Sequence, residues 1–126
     1  MDAVTYPAKE VIETMGKHVV AVRIAHDAKP LAAEFNVRWT PALYILDSEG
    51  KRHNGSTGFL PPEEFIPWVV LGRGRMLFDR NELDNAMTMF DSLSRNYPES
   101  DSAPEALFFN AVSKYKLNDE AGFLKE

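Results

Sequence analysis

The chain has 126 residues, of which 44% are hydrophobic and 26% charged, and a formal net charge of −5. This composition predicts a soluble globular chain of one ordinary domain or two very small ones. The acidic balance, without any basic block, argues against a nucleic-acid partner. The apolar runs are far shorter than the ~20 residues that cross a bilayer, so no membrane span is predicted. The N-terminus lacks a charged-then-apolar leader, which predicts no signal peptide and a cytoplasmic location by default.

The sequence contains no cysteine. Disulfides, thiolate metal sites and thiol-based redox chemistry are therefore excluded for this chain. The histidines His18, His26 and His53 lack the spacing of a metal-binding pair, and a turn accounts for Asp47 and Glu49. The sequence shows neither a glycine-rich phosphate loop nor a serine or threonine with a visible base partner. We therefore predict no catalytic residue, no cofactor and no metal.

The first half of the chain has alternating helical and strand patterns. Residues 7–15 have the apolar spacing of a short helix, and residues 18–24 form a β-branched run typical of a buried strand. A second helical pattern covers 28–35. The next strand is predicted at 42–47, after Pro41, because a residue without a backbone N–H suits the start of a strand. Two strands joined through a helix predict a right-handed parallel βαβ unit.

A hairpin is predicted after the second strand. The turn at 47–50, with Gly50 in the left-handed position, returns the chain antiparallel over 51–57. This returning segment is polar, so we predict an edge strand protected by its charges. Gly58 ends that strand, and a helix is predicted to begin near Pro62.

The stretch Asn36 to Asp47, with Thr40-Pro41 ahead of an apolar strand, resembles the thioredoxin family at the loop that carries its cis-proline. The resemblance covers about residues 1–70. It implies that Pro41 is the cis-proline and that the backbone of Thr40 pairs with a bound peptide. Trp39 either belongs to the same peptide surface or only packs the loop. The candidate peptide-binding residues are thus Trp39, Thr40 and Pro41.

The same resemblance implies that this chain lacks the first part of the thioredoxin fold. In the family, a central strand and a Cys-x-x-Cys motif precede the segment that matches residues 1–7. The expected fold class is therefore α/β, a truncated thioredoxin-like sheet of two parallel strands plus an antiparallel edge strand. Without the central strand, either the parallel strands pair directly, which we favour, or a second copy pairs with an exposed sheet edge as a homodimer.

From about residue 67 the pattern changes to consecutive helices. Gly74, Ala86, Phe90 and Pro98 resemble the tetratricopeptide repeat in their spacing, and Ala111 stands 37 residues after Gly74, against ~34 in that repeat. The longer turn fits repeats of bacterial envelope-assembly proteins. The resemblance implies an all-α tetratricopeptide-like helical hairpin fused to the α/β part.

The boundaries of these helices follow from their caps. A helix is predicted to begin from a cap at Asn81, and another after Ser102, where Glu105 completes a capping box. The inner face of this third helix is predicted to consist of Leu107, Phe108, Ala111, Val112 and Tyr115, and Asn118 is predicted to cap a short final helix over residues 119–125. The predicted domains are 1–70, thioredoxin-like and incomplete at its N-terminus, and 67–126, tetratricopeptide-like.

Two functions remain open from the sequence. The first is a non-catalytic protein-protein interaction module, in which the proline loop and the repeat helices bind a protein or peptide partner. The second is the C-terminal part of a thiol-disulfide oxidoreductase whose Cys-x-x-Cys lies upstream of Met1. We favour no enzymatic activity for this cysteine-free chain.

Overall fold

The structure is a computed structural model that describes residues 1–23 and 41–125, with side chains to residue 118. In this part, four helices accompany one small sheet. The elements in chain order are α1 (Lys9–His18), β1 (Ala42–Leu46), β2 (Arg52–Thr57), α2 (Pro62–Asp79), α3 (Leu83–Asn96) and α4 (Ala103–Lys125).

The predicted truncated thioredoxin-like sheet is wrong. Within the described residues the sheet has two strands, β1 and β2, and they are antiparallel. Residues 18–24 were predicted as a parallel strand, but α1 extends to His18 and the chain continues to Arg23 without regular structure. Val20 and Val22 are 92% and 77% exposed. β-Branched residues form a strand where a neighbouring strand and a buried face receive them, and the described residues supply neither to Val20.

The predicted hairpin is confirmed. β1 and β2 are antiparallel, with Ala42 opposite Thr57 and Ile45 opposite Asn54. Gly50 has φ 84°, the left-handed geometry that a tight turn requires and that glycine adopts without strain. Leu46 lies opposite Arg52, so His53 is an extra residue in β2 and forms a β-bulge.

Helix α2 is the element that the rest of the structure packs around. It is buried from Phe65 to Gly72, as expected for a helix that is apolar on all sides. One side belongs to a hydrophobic cluster with Val11 of α1 and with the hairpin residues Leu43 and Ile45. The other side packs against α3 and α4 in a second cluster: Val70, Leu71, Ala86, Phe90, Leu93, Ala103 and Ala106.

Two glycines allow these close approaches on opposite sides of α2. A Cβ placed on Gly72 would lie 2.7 Å from Cγ1 of Ile45 in β1. A Cβ placed on Gly74 would lie 2.6 Å from Cε1 of Phe90 in α3. Gly74 is thus a small residue at the point where α2 and α3 meet.

Asn81 ends α2 and does not cap α3, so that prediction is wrong. Its φ is 62°, the left-handed region that asparagine tolerates better than most residues. The N–H of Asn81 donates to the carbonyl of Phe78 at 3.0 Å, and the N–H of Glu82 donates to the carbonyl of Leu77 at 2.9 Å. This pair of bonds is the Schellman motif, which satisfies carbonyls at the end of a helix.

Candidate functional site

The predicted peptide site lies only partly within the described residues. Trp39 and Thr40 fall outside them, as does the predicted helix at 28–35. Pro41 is half-buried and directly precedes β1, and its carbonyl accepts a hydrogen bond from the N–H of Gly58 at 2.7 Å. The carbonyl of Pro41 is therefore engaged by the hairpin. Peptide binding at this loop stays a prediction.

A buried histidine links the hairpin to the end of α2. Nε2 of His53 lies 2.9 Å from Oδ2 of Asp47 in the hairpin turn, and Nδ1 lies 2.7 Å from Oδ2 of Asp79. The side chain of His53 is 1% exposed, and that of Asp47 is 7% exposed. The bulge turns the imidazole inward, because one extra residue breaks the regular alternation of side chains along β2.

This cluster is a structural link between the hairpin turn and the end of α2. Each carboxylate lies within hydrogen-bond distance of one ring nitrogen, so both polar atoms of the buried imidazole have partners. Asp79 is the last residue of α2, where the helix dipole disfavours a negative charge. The ring nitrogen Nδ1 of His53 gives this carboxylate a polar partner inside the protein.

The environment of Asp47 favours its ionised form. The hydrogen bond from His53 lowers the pKa of Asp47 to about 2, and the backbone N–H groups of Lys51 and Glu49 act in the same direction. Both N–H groups donate to Oδ1 of Asp47 at 2.9 Å. One carboxylate thus satisfies the turn with one oxygen and His53 with the other.

An open groove of about 550 Å³ runs beside β2 and is lined by residues 52–57, Arg75 and Glu105, among others. The guanidinium of Arg75 lies over the ring of Phe109, 5.3 Å from its centroid. Its Nη1 is 3.4 Å from Oδ1 of Asn54 and 3.9 Å from Oε2 of Glu105. Arg75 is therefore held by groups of the chain itself and is not a free cation for a ligand.

The groove holds no activated nucleophile among the residues that the structure describes. Ser56 and Thr57 line it, but both nitrogens of His53 are engaged, so the imidazole cannot take a proton from either hydroxyl. No group of three or more His, Asp or Glu in this part of the chain could hold a metal ion. Asp47 and Asp79 bond opposite ring nitrogens and do not converge on one point.

Comparison with known proteins adds no further assignment. No family model, no curated protein and no solved structure matches the chain. No helix of the described residues is long and apolar enough to cross a membrane. The surface of this molecule is therefore the basis for inferring its function.

The outward face of α4 is apolar. Leu107, Phe108 and Tyr115 are 59%, 63% and 72% exposed, and Ala111 between them is exposed as well. Residues three, four and seven apart share one side of a helix, so these four side chains form a single stripe. We call Leu107, Phe108, Ala111 and Tyr115 the α4 face.

The four residues of the α4 face were predicted, with Val112, to line the inner face of the third helix, and for these four that prediction is wrong. The separate final helix predicted after Asn118 is wrong as well, since α4 continues to Lys125. The buried side of α4 carries smaller and more polar residues: Ala103, Ala106, Asn110 and Ser113. Small side chains let α4 approach α3 closely, and this contact decides which side of α4 is buried. The hydrophobic pattern does mark an apolar side of the helix, but it does not show whether this chain or another covers it.

The sequence also did not reveal the cluster around His53. The polar strand 51–57 was predicted as an exposed edge, yet His53 and Asn54 are buried side by side. Asp47 was the one available signal for this cluster. Its role in the turn was predicted, and a turn aspartate has a second carboxylate oxygen that can bind another group. Its partner in a β-bulge cannot be read from local spacing.

Proposed function

We propose that this chain is a non-catalytic protein-protein interaction module. The observation that carries the proposal is the α4 face, which exposes two aromatic side chains and a leucine on one side of a helix. Contiguous exposed apolar side chains at this scale are typical of sites that a partner covers. Burying one such side chain contributes about 1.5–3 kcal/mol, so covering three gives a partner a substantial part of its binding free energy.

The family resemblances belong to the same proposal. The close contact of Gly74 with Phe90 and the sequence of packed helices α2, α3 and α4 support a tetratricopeptide-like arrangement of the helical part. The thioredoxin resemblance is kept only for the loop at Pro41, as a second candidate peptide contact. No observation on the described residues favours the alternative of an oxidoreductase fragment, whose Cys-x-x-Cys would lie upstream of Met1.

Site-specific photocrosslinking in the native host tests this function. A benzophenone amino acid replaces Phe108 on the α4 face, and in a control it replaces Asn85, an exposed residue of α3. We expect discrete protein adducts from position 108 that position 85 does not give and that the additional Ala111→Arg substitution removes. Equal adducts at both positions, or none at position 108, contradict the proposal.

A further inference from the structure

Two helices of this chain carry the same pattern of residues on one side, and within the described residues only one of these sides is covered by a helix. The pattern recurs after 37 residues. In α2 it consists of Pro67, Val70, Leu71, Gly74 and Phe78; in α4 it consists of Pro104, Leu107, Phe108, Ala111 and Tyr115. Each position keeps its chemical type: proline, aliphatic, large apolar, small, aromatic.

The side of α2 that carries this pattern is covered by α3, and it shows what such a face binds. Helix α3 lies on α2 with the ring of Phe90 placed directly against Gly74. Ala86, four residues before Phe90, and Leu93, three residues after it, are fully buried in the same cluster as Val70. The face on α2 therefore receives an amphipathic helix with a small residue, an aromatic residue and a leucine at this spacing.

We propose that the α4 face binds an amphipathic helix of a partner polypeptide, in the way that α2 binds α3. This inference rests on the proposed function and names the partner's chemistry. The partner helix places a large apolar side chain against Ala111, as Phe90 is placed against Gly74. Small and leucine side chains at the adjacent positions contact Phe108 and Tyr115.

Two differences between the faces define the partner further. Ala111 has a Cβ where Gly74 has none, so the partner's central side chain cannot approach as closely as Phe90 does. Leu77 of α2 packs against the second hydrophobic cluster, which contains Phe90 of α3. The equivalent position in α4 is Lys114, and its side chain is exposed. A partner helix with an acidic side chain at this edge complements the charge of Lys114.

A second copy of this chain is a poorer occupant than another polypeptide. Its own helix of the required pattern, α3, is already used, because Phe90 and Leu93 are fully buried inside the same molecule. A two-fold pairing of two α4 faces would oppose the bulky Phe108 and Tyr115 of each copy, instead of placing one large side chain against Ala111.

A helical peptide with the sequence of residues 81–96 is the probe. A hydrocarbon crosslink between positions 84 and 88, both exposed in α3, keeps the isolated peptide helical, since a free peptide of this length is only marginally helical in water. Binding of the labelled peptide to the full chain is followed by fluorescence anisotropy, and the site is mapped by NMR shift changes.

We expect saturable binding with shift changes confined to α4. Ala111→Arg weakens it at least tenfold, and so does replacing Phe90 by Asp in the peptide, whereas Asn85→Arg in the protein leaves it within twofold. Circular dichroism checks that each variant is folded. Binding that is absent, that maps away from α4, or that survives Ala111→Arg overturns the inference.

Two further outcomes separate this inference from the proposed function. Photocrosslinks from position 108 without peptide binding leave the interaction module standing and overturn the helix assignment. Sedimentation that shows a dimer of the wild-type chain at micromolar concentration, and a monomer for Ala111→Arg, identifies a second copy as the occupant and overturns the choice of a partner polypeptide.

Discussion

Asp47 illustrates how much one side chain does in this hairpin. Oδ1 of Asp47 accepts the turn N–H groups of Glu49 and Lys51, and Oδ2 bonds to His53. The turn role follows from local sequence, since aspartate before a tight turn commonly accepts such bonds. The bond to His53 depends on the bulge, and the bond from His53 to Asp79 spans 26 residues, so local sequence predicts neither.

The lowered pKa of Asp47 predicts how stability depends on acid. A carboxyl whose pKa falls on folding stabilises the folded state above its unfolded pKa, near 3.8, and this contribution disappears as the pH falls toward about 2. We expect Asp47→Asn to lower the free energy of unfolding at pH 7, with a difference from wild type that shrinks between pH 4 and pH 2. Urea unfolding across this pH range measures it.

Glu49→Gln is the matched control, because it removes a neighbouring carboxylate from the same turn. Glu49 bonds Asp47 through its backbone N–H, and the substitution leaves that bond in place. Its effect should be small at pH 7. A pH-independent difference between wild type and Asp47→Asn would show that the ionised carboxylate is not what stabilises the hairpin.

At the scale of elements, α2 depends on its two glycines. Gly74→Ala gains up to about 1 kcal/mol of helix propensity, but the added methyl overlaps the buried ring of Phe90, and such overpacking costs typically 1–3 kcal/mol. We expect net destabilisation of about 1–2 kcal/mol by thermal or urea unfolding. Gly16→Ala in α1 is the control, since nothing lies within 4 Å of its Cβ position, and it should stabilise by about 0.5–1 kcal/mol. Equal effects of the two substitutions would contradict the close contact.

The elements that the sequence predicted correctly have local signals. Gly50 and the turn residues define the hairpin, and Pro62 marks the start of α2. The predictions that were wrong concern segments whose structure depends on residues far away in the sequence. The β-branched run at 18–24 looked like a strand, yet Val20 has no neighbouring strand within the described residues. The apolar side of α4 looked like core, yet the α3–α4 contact uses small residues such as Ala106.

At the scale of the whole molecule, the two hydrophobic clusters share one helix. Val69 of α2 packs in the cluster with α1 and the hairpin, and its neighbour Val70 packs in the cluster with α3 and α4. The predicted domain boundary at residues 67–70 falls inside α2. Because both clusters contain residues of α2, the continuity of this helix determines whether the chain unfolds in one step or in two.

We expect both clusters to unfold together. Phe90→Leu opens a cavity in the second cluster and costs about 1–3 kcal/mol. The fluorescence of Trp68, which lies in the first cluster, is followed in a Trp39→Phe background together with helical circular dichroism during urea unfolding. Both transitions should shift to lower urea by the same amount. A shift in circular dichroism that leaves the Trp68 transition unchanged would indicate two independent units.

The bulge in β2 also determines how the hairpin is attached to α2. It turns two consecutive side chains inward: His53 reaches Asp79 at the end of α2, and Nδ2 of Asn54 donates to the carbonyl of Trp68 at 3.3 Å. These anchor points are roughly 16 Å apart along the helix, from the 1.5 Å rise per residue. Together with the packing of Ile45 against Gly72, these two bonds fix the direction of the hairpin along α2.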